Sequence, residues 1–90
     1  MPIVYKKDPQ AVLDFGFNWS LWLATGETIT ASTWTVETGL TEDSDAKNDT
    51  QTTVWLSGGT AGNIYKAVNK IVTSASRTDE RTLEIRVVDR

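Results

Sequence analysis

A chain of 90 residues with neither cysteine nor histidine has to fold around one hydrophobic core, because it can form neither disulfides nor the common zinc sites. Its net charge of −3 and its scattered lysines and arginines argue against a phosphate-binding surface, so we expect no nucleic-acid partner. Fourteen threonines and four tryptophans, without any long helical spacing of apolar residues, predict an all-β fold.

The N-terminal stretch MPIVYKK has an apolar run too short for a signal sequence, and no later stretch is suited to spanning a bilayer. We therefore expect a soluble protein that is not exported by that route and has no membrane partner. Residues 1–12 are predicted to form an N-terminal arm ahead of a folded domain at residues 13–90. Ile3, Val4 and Tyr5 have no evident place in that domain, and we predict that they dock on a neighbouring subunit.

Apolar and polar residues alternate from Phe15 onward, in the first predicted strand. One side carries Phe15, Phe17, Trp19, Leu21 and Leu23, while small or polar residues occupy the other. This alternation predicts a strand with one buried face. The sequence ATGET then supplies a turn that ends the strand.

The next run, TITASTWTVETG, changes its parity part of the way along. Ile29 and Trp34 are both apolar but lie an odd number of residues apart, so a regular strand would point them to opposite faces. We therefore predict a β-bulge or a sharp bend at Ser32 or Thr33, which brings both side chains to the core.

The stretch ETGLTEDSDAKND concentrates acidic residues. Asp43, Asp45 and Asp49 are spaced loosely like the ligands of a calcium loop, but Lys47 stands at a ligand position and the closing glutamate is missing. We therefore predict a polar edge strand protected by its charge, and no metal site.

Three more strands are predicted in the second half of the chain. In the short run QTTVWLS, either Thr53 and Trp55 or Val54 and Leu56 face inward. The longest strand covers residues 63–73, and the hairpin SASRTDE joins it to a last strand, RTLEIRVVD. The core predicted from all strands comprises Phe15, Phe17, Trp19, Ile29, Trp34, Ile71, Leu83 and Ile85.

Six to seven short antiparallel strands with turn signals between them predict an immunoglobulin-like β-sandwich. In the segment SGGTAGNIY, we expect Gly58, Gly59 and Gly62 to take the positive-φ positions of a crossover between the sheets. Tyr65 then turns its ring inward and returns its hydroxyl to the crossover backbone, which is a tyrosine corner. A phosphate-cradling loop does not fit, because no helix follows and no basic residue lies inside the segment.

The four tryptophans can serve as core fillers or as contact residues. Trp19 and Trp34 follow the inward parity of their strands and are assigned to the core. Trp22 breaks the parity of its strand and is predicted to point outward as an interface residue. The sequence does not decide whether Trp55 is a core residue or a contact residue.

No catalytic set emerges from the sequence. The common nucleophilic triads need histidine or cysteine, and a carboxylate pair needs a concave site that a sandwich of this size rarely builds. We therefore predict that the protein is not an enzyme and has no cofactor.

The segments DPQAVLDFGFNWSLWLATGETI, STWTV and VWLSGGTAGNIYKAVNKIVTSASRTDERTLEIRV together resemble the small fiber–tail adaptor proteins of tailed bacteriophages. The resemblance runs from Asp8 almost to the C-terminus. Its most specific portion is the glycine-rich block ending at Tyr65, followed by the hairpin T-S-x-x-R-T-D-E-R. Asn18 stands where the family pattern leads us to expect aspartate, and Ser76 where it leads us to expect glycine.

The resemblance implies a structural virion protein with an immunoglobulin-like fold, made in the host cytoplasm and located in the tail of the particle. Its partners would be other tail, head-to-tail or fiber proteins, and copies of the chain would form a homo-oligomeric ring. An alternative interpretation is a carbohydrate-binding module that stacks host glycans on Trp22 and Trp55.

Overall fold

The computed structural model of the chain describes residues 3–88, with side chains from Tyr5 onward. These residues form seven strands and no helix, so they include no helix that could cross a membrane. The strands are β1 (Ile3–Lys7), β2 (Leu13–Asn18), β3 (Ile29–Val36), β4 (Leu40–Lys47), β5 (Gln51–Gly58), β6 (Ile64–Thr73) and β7 (Thr78–Val87).

The strands form two sheets, one of four strands in the order β1-β7-β6-β3 and one of three in the order β2-β5-β4. Every pairing is antiparallel except that of β1 with β7. The predicted all-β sandwich is confirmed. The immunoglobulin-like connectivity stays a prediction: β3, β6 and β7 share one sheet and β2, β4 and β5 the other, as in immunoglobulin domains, while β1 lies beside β7 rather than β2.

The core lies between the sheets and follows the alternation of the sequence. In β5 the inward side chains are Thr52, Val54 and Leu56, so Trp55 faces outward. In β6 the residues of the Tyr65 side are buried along the whole strand. The side chains predicted for the core are all buried in this space: Phe15, Phe17, Trp19, Ile29, Trp34, Ile71, Leu83 and Ile85.

The alternation that begins at Phe15 stops at Trp19, which corrects the prediction for the following residues. The backbone N–H groups of Trp22 and Leu23 both donate to the carbonyl oxygen of Trp19, at 2.9 and 3.0 Å, so the chain turns instead of extending. Within a turn of this kind, residues three and four apart share a side. Leu21 is therefore fully exposed rather than inward, while Trp22 and Leu23 return to the core.

Bulges occur in the two strands that border the same side of the sandwich. The register of β3 shifts between Ile29 and Ala31, so the predicted bulge exists but lies two residues before Ser32. A second shift lies in β4 between Glu42 and Ser44. As predicted, β4 is a polar edge strand, with every residue after Leu40 exposed.

The expectation that residues 3–7 lie outside the sandwich is wrong. This segment is β1, and it pairs in parallel with β7, with Tyr5 opposite Ile85. The ring of Tyr5 packs 5.2 Å from that of Phe15, so Tyr5 closes one side of the core rather than projecting toward a neighbour. The side chains of Ile3 and Val4, also predicted as interface residues, lie outside the described residues.

Lys7 fixes the end of β1 from inside the protein. Its side chain is fully buried, and its Nζ donates to the carbonyl oxygens of Gly58, at 2.7 Å, and of Asp8, at 2.9 Å. Burial lowers the pKa of Lys7, and the carboxylates of Asp8 and Asp43 partly offset that effect. The first strand is therefore attached to the glycine-rich segment at the end of β5.

A buried polar cluster joins the two sheets through Asn69. The indole N–H of Trp19 donates to the Asn69 Oδ1 at 3.1 Å, and the hydroxyl of Thr52 donates to the same oxygen at 2.6 Å. The Asn69 amide nitrogen donates to Ser32 Oγ and to the Thr33 carbonyl oxygen, at 2.9 and 3.2 Å. Both functional groups of the Asn69 carboxamide are thus satisfied while the residue is fully buried.

Candidate docking surfaces and the elements that position them

The glycine-rich segment has the geometry of a tyrosine corner. Gly58, Gly59 and Gly62 have φ angles of 79°, 94° and 92°, in the region that favours glycine. Tyr65 is buried, and its hydroxyl accepts hydrogen bonds from the Thr60 backbone N–H at 3.0 Å and from the Asn63 side chain at 3.3 Å. These two donors, that of Asn63 first, lower the pKa of the Tyr65 hydroxyl.

Two of the glycines also make room for the corner. A Cβ on Gly59 would lie 2.6 Å from a methyl group of Val87, and its φ already excludes most side chains. A Cβ on Gly39 would lie 2.5 Å from the ring of Tyr65, and its φ is 115°. Gly39 is a part of the corner that the sequence pattern does not reveal, because it lies 26 residues before the tyrosine and only the fold brings them together.

The opposite end of the sandwich is closed by Trp22, Arg77 and Glu27. The Arg77 guanidinium lies over the Trp22 ring at 4.1 Å and forms an ion pair with the Glu27 carboxylate. Glu27 also accepts hydrogen bonds from the hydroxyl of Thr73 and from the backbone N–H of Ala24. The hydrogen bonds from Arg77, then those from Thr73 and Ala24, lower the pKa of Glu27 to about 2.

Trp22 is therefore a half-buried clamp residue, not the outward-facing residue that parity predicted. Its ring packs edge-on against Trp19 at 5.6 Å on one side and under Arg77 on the other. Glu27 and Arg77 were missed because neither stands in an alternating pattern. Since Trp22 is covered while Trp55 lies on the outer side of β5, the two rings do not form the shared platform that the glycan-binding alternative needs.

The hairpin that carries Arg77 contains one of the two departures from the family pattern. Ser76, where glycine is expected, has a φ of 61°, and it is the non-glycine residue with positive φ among those described. Its N–H donates to the Thr73 carbonyl oxygen at 2.9 Å, so the turn keeps its shape. At the other departure, the Asn18 Oδ1 accepts the Ser20 N–H at 2.9 Å, which an aspartate oxygen would do equally well.

The exposed apolar side chains lie on three separate parts of the surface. Trp55 is 41% exposed on the outer face of the three-stranded sheet, and Val12 and Leu13 are exposed at the start of β2 in the same sheet. Ile64 is 48% exposed on the outer face of the four-stranded sheet, and Leu21 stands on the turn after β2. These are the described positions at which a partner protein would bury additional apolar area.

The acidic residues of β4 do not form a metal site. No group of three or more carboxylates in the described part of the chain is arranged to hold a metal ion. Asp43 instead accepts a hydrogen bond from the hydroxyl of Ser57 on β5, at 3.0 Å. The acidic residues therefore act as surface charge along an edge of the three-stranded sheet.

Comparison with known proteins gives one match. A family model described as "Podophage GP4 fiber-tail adaptor protein gp77" matches residues 7–86, which is most of the chain. No curated protein matches the chain.

The tyrosine corner gives a first prediction. Tyr65→Phe removes the acceptor for Thr60 N–H and Asn63, and we expect it to lower the free energy of unfolding by about 1 kcal/mol or more. Denaturant unfolding measures this change. Tyr5→Phe, which removes the hydroxyl of the other tyrosine, is the matched control. Equal denaturation midpoints for Tyr65→Phe and the wild type would show that Tyr65 does not stabilise the fold as a tyrosine corner.

The Glu27 cluster gives a prediction of pH dependence. Since folding lowers the Glu27 pKa from 4.5 to about 2, the carboxylate stabilises the fold above about pH 4.5, and this contribution is lost as the pH falls toward 2. The stability difference between the wild type and Glu27→Gln should thus be constant near neutral pH and shrink between pH 4.5 and 2. Denaturant unfolding across this range measures it, with Glu80→Gln, at an exposed position on β7, as the control. A difference that persists unchanged down to pH 2 would contradict the assignment.

Proposed function

Because the chain belongs to the podophage GP4 fiber-tail adaptor family, we propose that it is a structural protein of the virion tail that connects the fibers to the tail or the head-to-tail region. The family match carries this proposal, since residues 7–86 include the whole of β2 to β6 and nearly all of β7. The chain is made in the host cytoplasm and enters the tail during assembly.

The adaptor acts through protein–protein contacts rather than through chemistry. The sequence has no histidine or cysteine to serve as a catalytic nucleophile or base, so we propose that the chain is not an enzyme and uses no cofactor. The clamps at the two ends, at Tyr65 and at Trp22, support this role. They hold the loops in fixed positions, and a connector that must keep two larger parts in register benefits from such loops.

The partners of the adaptor are other tail, head-to-tail or fiber proteins, together with further copies of the chain in a homo-oligomeric ring. Two kinds of surface support this arrangement: the outer sheet faces that carry Trp55 and Ile64, and the free edges of β1, β2, β3 and β4. An unpaired edge strand offers backbone groups to a strand of a neighbouring protein. Although β1 belongs to the sandwich, it lies at a sheet edge, where it can still contact a neighbouring protein.

Deletion of the gene from a phage that encodes this chain tests the function. We expect particles with filled heads and tails that lack fibers, because the connecting protein is missing. Electron microscopy counts the fibers on each particle, and mass spectrometry gives the ratio of fiber protein to capsid protein. Supplying the wild-type chain from a plasmid is the control and should restore both values. Fibers at wild-type number on particles that contain no copy of the chain would refute the proposal.

A further inference from the structure

The two sheets of the sandwich carry opposite net charge. The strands of the three-stranded sheet contain four acidic residues and one basic residue, whereas those of the four-stranded sheet contain six basic and three acidic residues. The single basic residue of the first set, Lys47, donates from its Nζ to the Ile29 carbonyl oxygen on the other sheet, at 3.3 Å. The charge of the chain is therefore separated across the thickness of the molecule.

On the outer face of the three-stranded sheet, acidic and apolar groups meet in one cross-strand row. Asp14 on β2 lies opposite Trp55 on β5, which lies opposite Ser44 on β4. Asp14 and Ser44 are exposed, and Trp55 is 41% exposed. We call this set the Trp55 row. It places an acidic residue opposite a partly exposed indole ring, and both groups attract a cationic side chain.

On the outer face of the four-stranded sheet, the unbalanced positive charge also lies in one row. Lys6 on β1 is opposite Arg86 on β7, which is opposite Ile64 on β6. All three side chains are exposed. We call this set the Arg86 row.

The other two lysines on that face contribute no net charge. In the register, Lys66 lies opposite Glu84, and Lys70 lies opposite Glu80. The positive charge of each lysine is therefore offset by a neighbouring carboxylate. The Arg86 row is what remains to attract an acidic partner.

We propose that the Trp55 row of one copy of the chain binds the Arg86 row of a second copy. This contact deepens the proposed function, on which it rests, by assigning the surfaces that join neighbouring copies. In the contact, a guanidinium or ammonium group of the Arg86 row stacks on Trp55 and pairs with Asp14, while Ile64 covers the remaining apolar area. The same stacking already occurs within the chain, where Arg77 lies over Trp22 and Arg81 over Trp19, each at 4.1 Å.

The geometry of the two rows determines the kind of assembly. Because they lie on opposite outer faces of a two-layer sandwich, the contact is heterologous and each copy offers one free row to the next. A closing rotation between copies then gives a ring, and a non-closing rotation gives a filament. Contacts between two identical faces are disfavoured, because they would bring like charges together.

Self-association of the purified chain tests this proposal without the phage. Sedimentation equilibrium at 50 and 500 mM salt should show association beyond a dimer that weakens at least tenfold at the higher salt. Trp55→Ala should weaken the association tenfold or more. Asp14→Lys, which reverses the charge of the Trp55 row, should have the same effect. The double variant Lys6→Glu, Arg86→Glu should do the same with the basic row reversed. Thermal unfolding confirms that each variant is folded.

Mixing the two reversed variants distinguishes this contact from any other. Each alone has like charges in its two rows and associates at least tenfold more weakly than the wild type, whereas an equimolar mixture offers rows of opposite charge again and should associate to within tenfold of the wild type. Asp45→Lys, opposite the inward-facing Val54, makes the same charge change as Asp14→Lys, and Lys70→Glu, outside the Arg86 row, makes half the charge change of the double variant. Both should leave association unchanged.

A wild-type chain that stays monomeric at hundreds of micromolar, or reversed variants that associate like the wild type, would overturn the contact. If the Trp55 row binds a different tail or fiber protein instead, the wild-type chain should stay monomeric. In that case the deletion experiment still yields particles without fibers, so the proposed function stands while this inference fails.

Discussion

The carboxamide of Asn69 is the polar group on which the relative position of the two sheets depends. It is fully buried between the sheets. Its Oδ1 accepts hydrogen bonds from Trp19 and Thr52 on the side of the three-stranded sheet, while its amide nitrogen donates to Ser32 and the Thr33 backbone in the four-stranded sheet. A hydrophobic core alone tolerates small sliding of two sheets, because apolar contacts have no preferred direction. A fully satisfied buried network has a single geometry, since any slip leaves a donor or acceptor without a partner.

With the sheets fixed in this way, the ends of the sandwich determine how the outer surface is presented. At one end, Tyr65 holds the glycine-rich crossover and Lys7 attaches β1 to Gly58. At the other end, Arg77 and Glu27 hold Trp22 and the turn that follows β2. The faces between these two clamps carry opposite charge and one exposed apolar side chain each. A small connector can thus be rigid in its own fold and still offer two different surfaces to its neighbours.

The sequence predicts those parts of the fold that depend on alternation. Segments with a strict period of two, such as β6 and the run from Phe15 in β2 to Trp19 just after it, place their side chains as the pattern requires. The glycine segment before Tyr65 was recognisable because positive φ angles require glycine in a local stretch. The alternating pattern failed at Leu21, where a turn replaced period two by a spacing of three to four, and nothing in the residue types marked the change.

Long-range contacts explain the remaining misses. The sequence predicts an external arm in place of β1, because a five-residue strand that pairs in parallel with the last strand has no local signal. The partners of Asn69 lie on β3, on β5 and at the residue that follows β2, and no spacing in the sequence links them. Glu27 and Arg77, 50 residues apart, form their ion pair only once β6 and β7 bring the hairpin beside the turn. Charge separation between the sheets likewise becomes visible only when the strand order is known.

A double-mutant cycle between the two sheets measures whether the Asn69 carboxamide fixes their relative position. Thr52→Val removes the hydroxyl on β5 and Asn69→Leu removes the carboxamide on β6, both with little change of shape. Because the Trp19 indole N–H donates to both groups, the cycle is measured in a Trp19→Phe background. There the summed losses of unfolding free energy in the two single variants should exceed the loss in the double variant by about 1 kcal/mol or more, since each single change leaves the other buried group unpaired. Losses that add to within about 0.3 kcal/mol would show that the two groups act independently, and that apolar packing alone holds the sheets in place.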